Sequence, residues 1–349
     1  MDNINITVTV LMPVYNGEPY LRESITSILG QSYINFEFLI IDDGSTDDSL
    51  DIIRSFGDKR IRVITNEANI GIVESLNKGI SSSIGKYIVR MDCDDVSLPT
   101  RIGKLVSYME SNPNIGVCGS WIKLIGADKK DIWRYPSGTS ATHARMLFED
   151  SLAHPSVIIR KQLLIDNSLH YSSDYPHAED YGLWTEIIRY SQLNNIQEVL
   201  LLYRVHDRSI GRTYNKVQNK SANKIRVGQL KELGIELDKY NVELHHSISS
   251  YKFLPTRFYV INAKHWLEQL FYANNNSHFY PDYAFRIELA QRWWLICRNA
   301  ISLGPWIVIT FLMSPLSKYA DMSFLQKIIF LIKSILKWKN ILTSQKYLS

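Results

Sequence analysis

The stretch GKYIVRMDCDDVSLPTRI, residues 85–102, decides the reading of this chain. An apolar run, Tyr87-Ile88-Val89, leads through Arg90 and Met91 into Asp92, Asp94 and Asp95. Carboxylates this close repel one another and are costly to desolvate unless something positive sits among them. A short D-x-D turn at a strand end supplies part of a shell for Mg²⁺ or Mn²⁺ and leaves positions for phosphate oxygens. Surface turns are rich in aspartate, so the motif alone is weak. Its place behind a buried strand is what gives it weight.

Working outward, short β-branched runs alternate with helical patterns. ITVTVLMPVY (6–15), FEFLIIDD (36–43), RIRVITN (60–66) and KYIVRMDCDD (86–95) read as strands. EPYLRESITSILGQ (18–31), DSLDIIRSF (48–56) and GIVESLNKGISSS (71–83) read as helices; in the first, Leu21, Ile25, Ile28 and Leu29 recur at helical spacing. This alternation predicts βαβ units in a Rossmann-like α/β fold with a mostly parallel central sheet and a helical C-terminal extension. In such sheets ligands bind outside the carboxyl ends of the strands. Asn16-Gly17, Asp42-Asp43-Gly44-Ser45 and the aspartates at 92, 94 and 95 all fall at those ends. Three strands thus deliver polar groups to one rim.

The chain has 349 residues, 45% hydrophobic and 21% charged, the composition of a folded globular protein of one large domain with an appendage, or two domains. A net charge of only +4, with no long Lys/Arg block in the first two hundred residues, argues against nucleic acid as a partner. Cys93, Cys118 and Cys297 are too few and too scattered for a disulfide framework or a zinc knuckle, which points to a reducing compartment. The start, MDNINITVTVLMPVYNG, lacks a basic n-region, so a signal peptide is not expected.

Beyond residue 115, IGVCGSWIKLIG reads as a strand, and residues 140–165 as a helix followed by HPSVIIRK. The character changes after YRVHDRSIG (203–211), which sets expected domains at 1–211 and 212–349. Residues 216–235 read as a basic amphipathic helix. ISLGPWIVITFLMSPL (301–316) falls short of the roughly 20 residues a bilayer span needs. FLQKIIFLIKSILKWKN (324–340) places Phe324, Ile328, Leu331, Ile332, Ile335 and Leu336 on one side, with Lys327, Lys333, Lys337 and Lys339 around the rest and Trp338 at the flank. A tail over about 303–340 is therefore expected to lie in a membrane interface. The competing reading packs that helix on the protein's own core.

PVYNGEPYLRESITSILGQSY, FLIIDDGSTDDS, NIGIVESLNKGI, YIVRMDCDDVSLPTRI and HAEDYGLW stand in unbroken order and resemble the successive motifs of bacterial family 2 glycosyltransferases over about residues 6–211. The resemblance implies an A-type fold, a nucleotide-diphospho-sugar donor, a divalent cation (Mn²⁺ or Mg²⁺) and inversion at the anomeric carbon. Position by position it implies that Pro13 and Tyr15 line the nucleobase pocket. Asp43, ahead of Asp42, takes the uracil ring nitrogen, and Asn77 or Lys78 faces the base or diphosphate. Asp92 lies against the ribose or a metal-bound water, Asp94 binds the metal, and Asp95 serves either the site or the N-cap of the following helix. In HAEDYGLW (177–184), Asp180 is implied as the catalytic base and Glu179 as its orienting neighbour. Acids there also suit a helix's first turn without any chemistry. His206 resembles the histidine that relatives place near the metal or diphosphate, with Arg204 and Arg208 beside it. Trp184 and Trp133 offer faces on which a sugar ring can rest, and His154 is expected at the acceptor or donor sugar.

The function expected is transfer of a sugar, from a UDP-sugar ahead of other donors, to a saccharide acceptor on a polyprenyl diphosphate. The setting is assembly of capsule, O-antigen or a similar surface polysaccharide, with the protein peripheral on the cytoplasmic face of the membrane. A nucleotidyltransferase acting on sugar phosphates is the alternative enzyme class, but PVYNGEPYL lacks a basic phosphate loop. A non-catalytic nucleotide-sugar-binding protein is the third reading; it would dispense with Asp94 or Asp180.

Overall fold

The computed structural model describes residues 6–126, 131–207 and 213–346, with side chains described as far as Lys337. The chain divides into two compact units, one of residues 1–142 and 150–225, the other of residues 143–149 and 226–349.

In the first unit β1 (Val8–Val14), α1 (Glu18–Leu29), β2 (Phe36–Asp42), α2 (Ser49–Arg54), β3 (Ile61–Thr65), α3 (Ile72–Ser82) and β4 (Tyr87–Arg90) follow the expected alternation. They are joined by β5 (Val96–Ser97), α4 (Arg101–Ser111), β6 (Ile115–Ile125) and β7 (Ile132–Trp133). Next come α5 (Thr139–Arg145), which the division cuts after Thr142, a 3-10 turn (His154–Ser156) and β8 (Ile158–Arg160). Helices α6 (Lys161–Asp166) and α7 (Glu179–Ile187) and strand β9 (Gln192–Arg204) complete the unit.

Strand order is β3-β2-β1-β4-β8-β6-β9-β5, with β7 on β6. The β3-β2-β1-β4 half is parallel, and every residue of β1 and β2 is buried, as strands covered on both faces require. Across β4 the sheet changes character: β4–β8, β8–β6, β6–β7 and β9–β5 are antiparallel, while β6–β9 is parallel with register shifts. The sheet is therefore mixed, which corrects the expectation of a mostly parallel one. The reason lies after β4, where the short strands β5, β7 and β8 pair antiparallel instead of continuing βαβ units. Leu21, Ile25 and Ile28 of α1 and Ile102, Leu105 and Met109 of α4 join the strand side chains in one apolar cluster.

The second unit is helical, built from α8 (Asn215–Glu232, with Arg226 onward in this unit), α9 (Lys239–Ser249), α10 (Arg257–Ser277), α11 (Asp282–Asn299), α12 (Pro305–Met313) and α13 (Phe324–Lys346). Its core gathers Trp266, Leu270, Phe285, Trp293, Phe311 and Phe330. α13 sits on this unit through Phe330, 4.8 Å from the Trp294 ring, and through the buried Ser334. Its apolar side faces outward: Phe324 is 79%, Leu325 64% and Leu336 55% exposed. The helix thus packs on its own unit through Phe330 and Ser334, while most of its apolar side stays exposed. Trp338 and Lys339 lie outside the residues whose side chains are described. Among the described residues no helix is long and apolar enough to cross a membrane.

Candidate active site

The carboxyl ends of β1 and β2 are stitched together by short polar bonds. Asn16 holds a left-handed backbone (φ 51°) and its Oδ1 accepts from Thr46 N at 2.8 Å. Gly17 N donates to Ser49 Oγ and Glu18 N to Asp47. Gly44 turns the second loop at φ 71°, and a Cβ there would stand 2.7 Å from the backbone of Ala68, so only glycine fits. Asp43 is buried and accepts three bonds, from Asn66 Nδ2 (2.8 Å), Ile70 N (2.9 Å) and Gly71 N (2.9 Å). Lys78 Nζ reaches Asn66 Oδ1 at 2.6 Å and completes a Lys78–Asn66–Asp43 chain. Asp42 is buried and accepts from Ser45 N. Pro13 is buried within β1, while Tyr15 stands 48% exposed at its end. Asn77 does not face this rim. Its amide brackets the backbone of Tyr171, donating to the carbonyl at 2.9 Å and accepting from N–H at 3.0 Å.

At the end of β4, Asp92, Asp94 and Asp95 offer carboxylate oxygens that all lie within 4.8 Å of one another. Strand β5 begins immediately after them and pairs with β9, Val96 opposite Leu202. That pairing brings residues more than a hundred positions away onto the acids. Arg204 N donates to Asp95 Oδ1 at 2.8 Å, and His206 Nε2 lies 2.9 Å from Asp94 Oδ2. Burial and the charge of Asp92 raise the Asp94 carboxyl, with His206 acting the other way. Burial and both neighbouring acids push Asp95 well above the usual range. Asp95 Oδ2 is buried with no hydrogen-bond partner. An oxygen-rich set under mutual repulsion, with an orphaned oxygen and an imidazole beside it, fits a hard divalent cation. Asp95 does not cap α4, which starts after Thr100 without a side-chain cap.

Arg204 is committed to protein groups: Nε donates to the Asp94 carbonyl at 2.7 Å, the guanidinium pairs with Glu23 at 2.5 Å and lies 4.6 Å over Tyr20. These contacts hold Arg204 against the acid cluster. Arg208 lies outside the described residues.

Glu179 and Asp180 open α7. Glu179 is buried with Oε2 unpartnered, and burial followed by the Asp180 charge pushes its carboxyl up to about 7. Asp180 is more open, its side chain 23% exposed; burial raises it, while a bond from Tyr181 N and the charge of Arg90 oppose the rise. His154, buried by the 3-10 turn, places Nδ1 3.8 Å from Asp180 Oδ2 and Nε2 2.8 Å from Tyr171 Oη. Both of its ring nitrogens face protein groups. Trp184 is wholly buried, edge-on to His154 and Tyr171, so it forms the floor beneath these residues and is not a sugar platform. Trp133 is 47% exposed and stacked on Tyr203.

The residue that joins the two acidic groups is Arg90, which the strand pattern hid. Its side chain is buried, pairs with Asp92, and its charge acts on Asp95, Glu179 and Asp180. Arginine is rarely buried unless paired, so one standing at the end of an apolar run was the signal available.

Known proteins resemble this chain in sequence and in fold. Residues 9–166 match the family model described as Glycosyl transferase family 2. An uncharacterized glycosyltransferase of Haemophilus influenzae is 36% identical over 272 residues, covering 72% of this chain and 84% of that one. The Escherichia coli protein named UDP-Glc:alpha-D-GlcNAc-diphosphoundecaprenol beta-1,3-glucosyltransferase WfgD is 28% identical over 58% of this chain and 79% of its own. Among solved structures, S. aureus TarS 1–349 in complex with UDP-GlcNAc superposes with a TM-score of 0.55 at 17% identity, covering 90% of this chain and 89% of that one, a likeness of fold.

Proposed function

The chain belongs to glycosyltransferase family 2, and from that premise we propose an inverting, divalent-cation-dependent transfer of a sugar from a UDP-sugar to a lipid-linked saccharide. We read the first unit as the A-type catalytic fold. The observation that carries the reading is the meeting, around Arg90, of an acid cluster suited to a cation with a second acid pair whose carboxyls are raised. The nucleotidyltransferase reading is set aside by the family.

The rim of β1 and β2 takes the nucleotide. Tyr15 is exposed to stack on the base, and the remaining lone pair of Asp43 accepts from the ring nitrogen, with Pro13 and Asp42 shaping the wall and Lys78 balancing the charge. Asp94, Asp92 and His206 would hold the cation, which when bound supplies positive charge to the departing diphosphate. Asp180 faces the acceptor. It takes the hydroxyl proton while the acceptor oxygen bonds to the anomeric carbon and the bond to the diphosphate oxygen breaks, UDP leaving with that electron pair. One displacement inverts the centre. Glu179, buried and raised to about 7, lies beside the base and resists ionising together with it.

The undecaprenyl-diphosphate acceptor in the name of WfgD supports a polyprenyl-linked saccharide as acceptor and surface-polysaccharide assembly as the setting. The outward apolar side of α13, flanked by the exposed Lys327, Lys333 and Lys337, supports peripheral attachment to the cytoplasmic membrane face. Thermal-shift measurements with UDP-, GDP- and dTDP-sugars, with and without Mn²⁺, test the first half-reaction. Stabilisation by a UDP-sugar that needs Mn²⁺ and is lost in Asp94→Ala is expected; an equal shift in that variant would remove the cation site. Asp180→Asn should keep donor binding and lose turnover, and retained turnover would remove the base.

A further inference from the structure

A chain of contacts runs from α3 to the proposed base. Asn77 grips both backbone groups of Tyr171, which lies in the irregular segment between α6 and α7. The Tyr171 ring is 2% exposed, and the bond recorded for its hydroxyl is the 2.8 Å contact to His154 Nε2. His154 in turn lies edge-on to Trp184 with Nδ1 toward Asp180 Oδ2 at 3.8 Å. Asp180 Oδ1 is occupied by Tyr181 N, so Oδ2 is the oxygen left for the imidazole and for an incoming hydroxyl.

We propose that His154 and Tyr171 are positioning residues for Asp180, with Tyr171 donating to Nε2 so that His154 keeps its proton on Nδ1 and directs it at Asp180 Oδ2. The inference rests on the reading of Asp180 as base. A buried phenol whose proton pointed elsewhere would leave a donor unsatisfied, which costs more than the bond to Nε2 contributes. Accepting there forces the proton to Nδ1. Burial and the charge of Arg90 keep the imidazole neutral, so Nδ1–H is a dipole aimed at the carboxylate and not a competing acid. The charged groups acting on Asp180 from the neighbouring elements are Arg90 and Asp92, with Glu179 on its own helix. At 3.8 Å the contact is longer than a hydrogen bond, and a small rotation of the carboxylate closes it when the acceptor seats. Trp184 and the Asn77 clamp hold the ring and the tyrosine in place, so that rotation brings the oxygen to a fixed donor.

Two measurements test this. Nitrogen-15 spectra of the histidine-labelled protein should show His154 protonated at Nδ1 and bare at Nε2, and Tyr171→Phe should lose that preference. A His154 protonated at Nε2 in the parent protein overturns the proposal whatever the kinetics. In transfer from UDP-glucose to a GlcNAc-diphosphate lipid, His154→Ala should lower kcat by ~10–100-fold, with both KM values within about twofold. His154→Asn, whose carboxamide can place a donor near Nδ1, should restore most of the loss. A rise in acceptor KM at unchanged kcat would make His154 a binding residue and sink the idea, as would a loss that asparagine fails to rescue while melting temperature and UDP affinity stay at the parent values. Asp180→Asn separates the two failures. If it stays active the base reading falls; if it is inactive while His154→Ala is unimpaired, only the positioning role falls. Should this donor–acceptor pair give no turnover, the spectra decide.

Discussion

Glu179, next to the proposed base, shows how burial of an acid carries a stability cost. Its carboxyl rises from 4.5 to about 7, so between those values the native chain binds more protons here than the unfolded chain does. Stability contributed by this site is full below that window, falls as pH rises through it, and stays lowered above it. The penalty above neutrality is on the order of 3 kcal/mol. Glu179→Gln should therefore melt several degrees above the parent at about pH 8 and level with it below the window. Melting curves that coincide at both pH values would mean that the site bears no such penalty. The residue's identity in a first-turn acid pair was legible from HAEDYGLW. Its burial was not, because a helix's first turn is normally solvated and only the tertiary fold closes it.

Elements differ in how openly they declare themselves. β1, β2 and β4 are continuous apolar runs ending in polar turns, and α1 and α3 repeat apolar residues at helical spacing, so local physics fixes each. β9 was not anticipated. QLNNIQEVLLLYR mixes polar and apolar residues with register shifts against β6, which erases the strand period, yet this strand brings Arg204 and His206 to the acids. α13 makes the opposite case: its amphipathic pattern was plain, while the direction of its apolar side was not. Two substitutions separate its roles. Phe330→Ala empties a site in the core and should cost ~3 kcal/mol, read by denaturant titration. Ile332→Glu combined with Leu336→Glu, both on the exposed side, should leave the melting temperature unchanged and release the protein from anionic phospholipid vesicles. Undiminished sedimentation of the double variant with those vesicles would end the membrane assignment.

For the whole molecule, the proposed cation site predicts that activity depends on a divalent ion. Asp94 and Asp95 are raised, so protons compete with a divalent ion as pH falls. Mn²⁺ at about a hundred times its Kd should stabilise the protein by ~2.7 kcal/mol near neutrality and by less in mild acid. Excess EDTA should abolish transfer, and full activity in its presence would contradict the metal role. The sequence by itself determined the α/β alternation and the parallel half of the sheet. It also placed three polar strand ends on one rim, with the aspartate cluster and the Glu179–Asp180 pair, because hydrophobic period and turn chemistry are local properties written within ten or twenty residues. Only the tertiary structure decided the mixed half of the sheet and the seating of His206 on Asp94. It alone set Arg90 between the aspartate cluster and the Glu179–Asp180 pair, buried Trp184 and brought His154 toward Asp180. Each of these depends on strand pairing or burial between residues far apart in the chain, and no local pattern encodes which distant group will supply the missing charge or hydrogen bond.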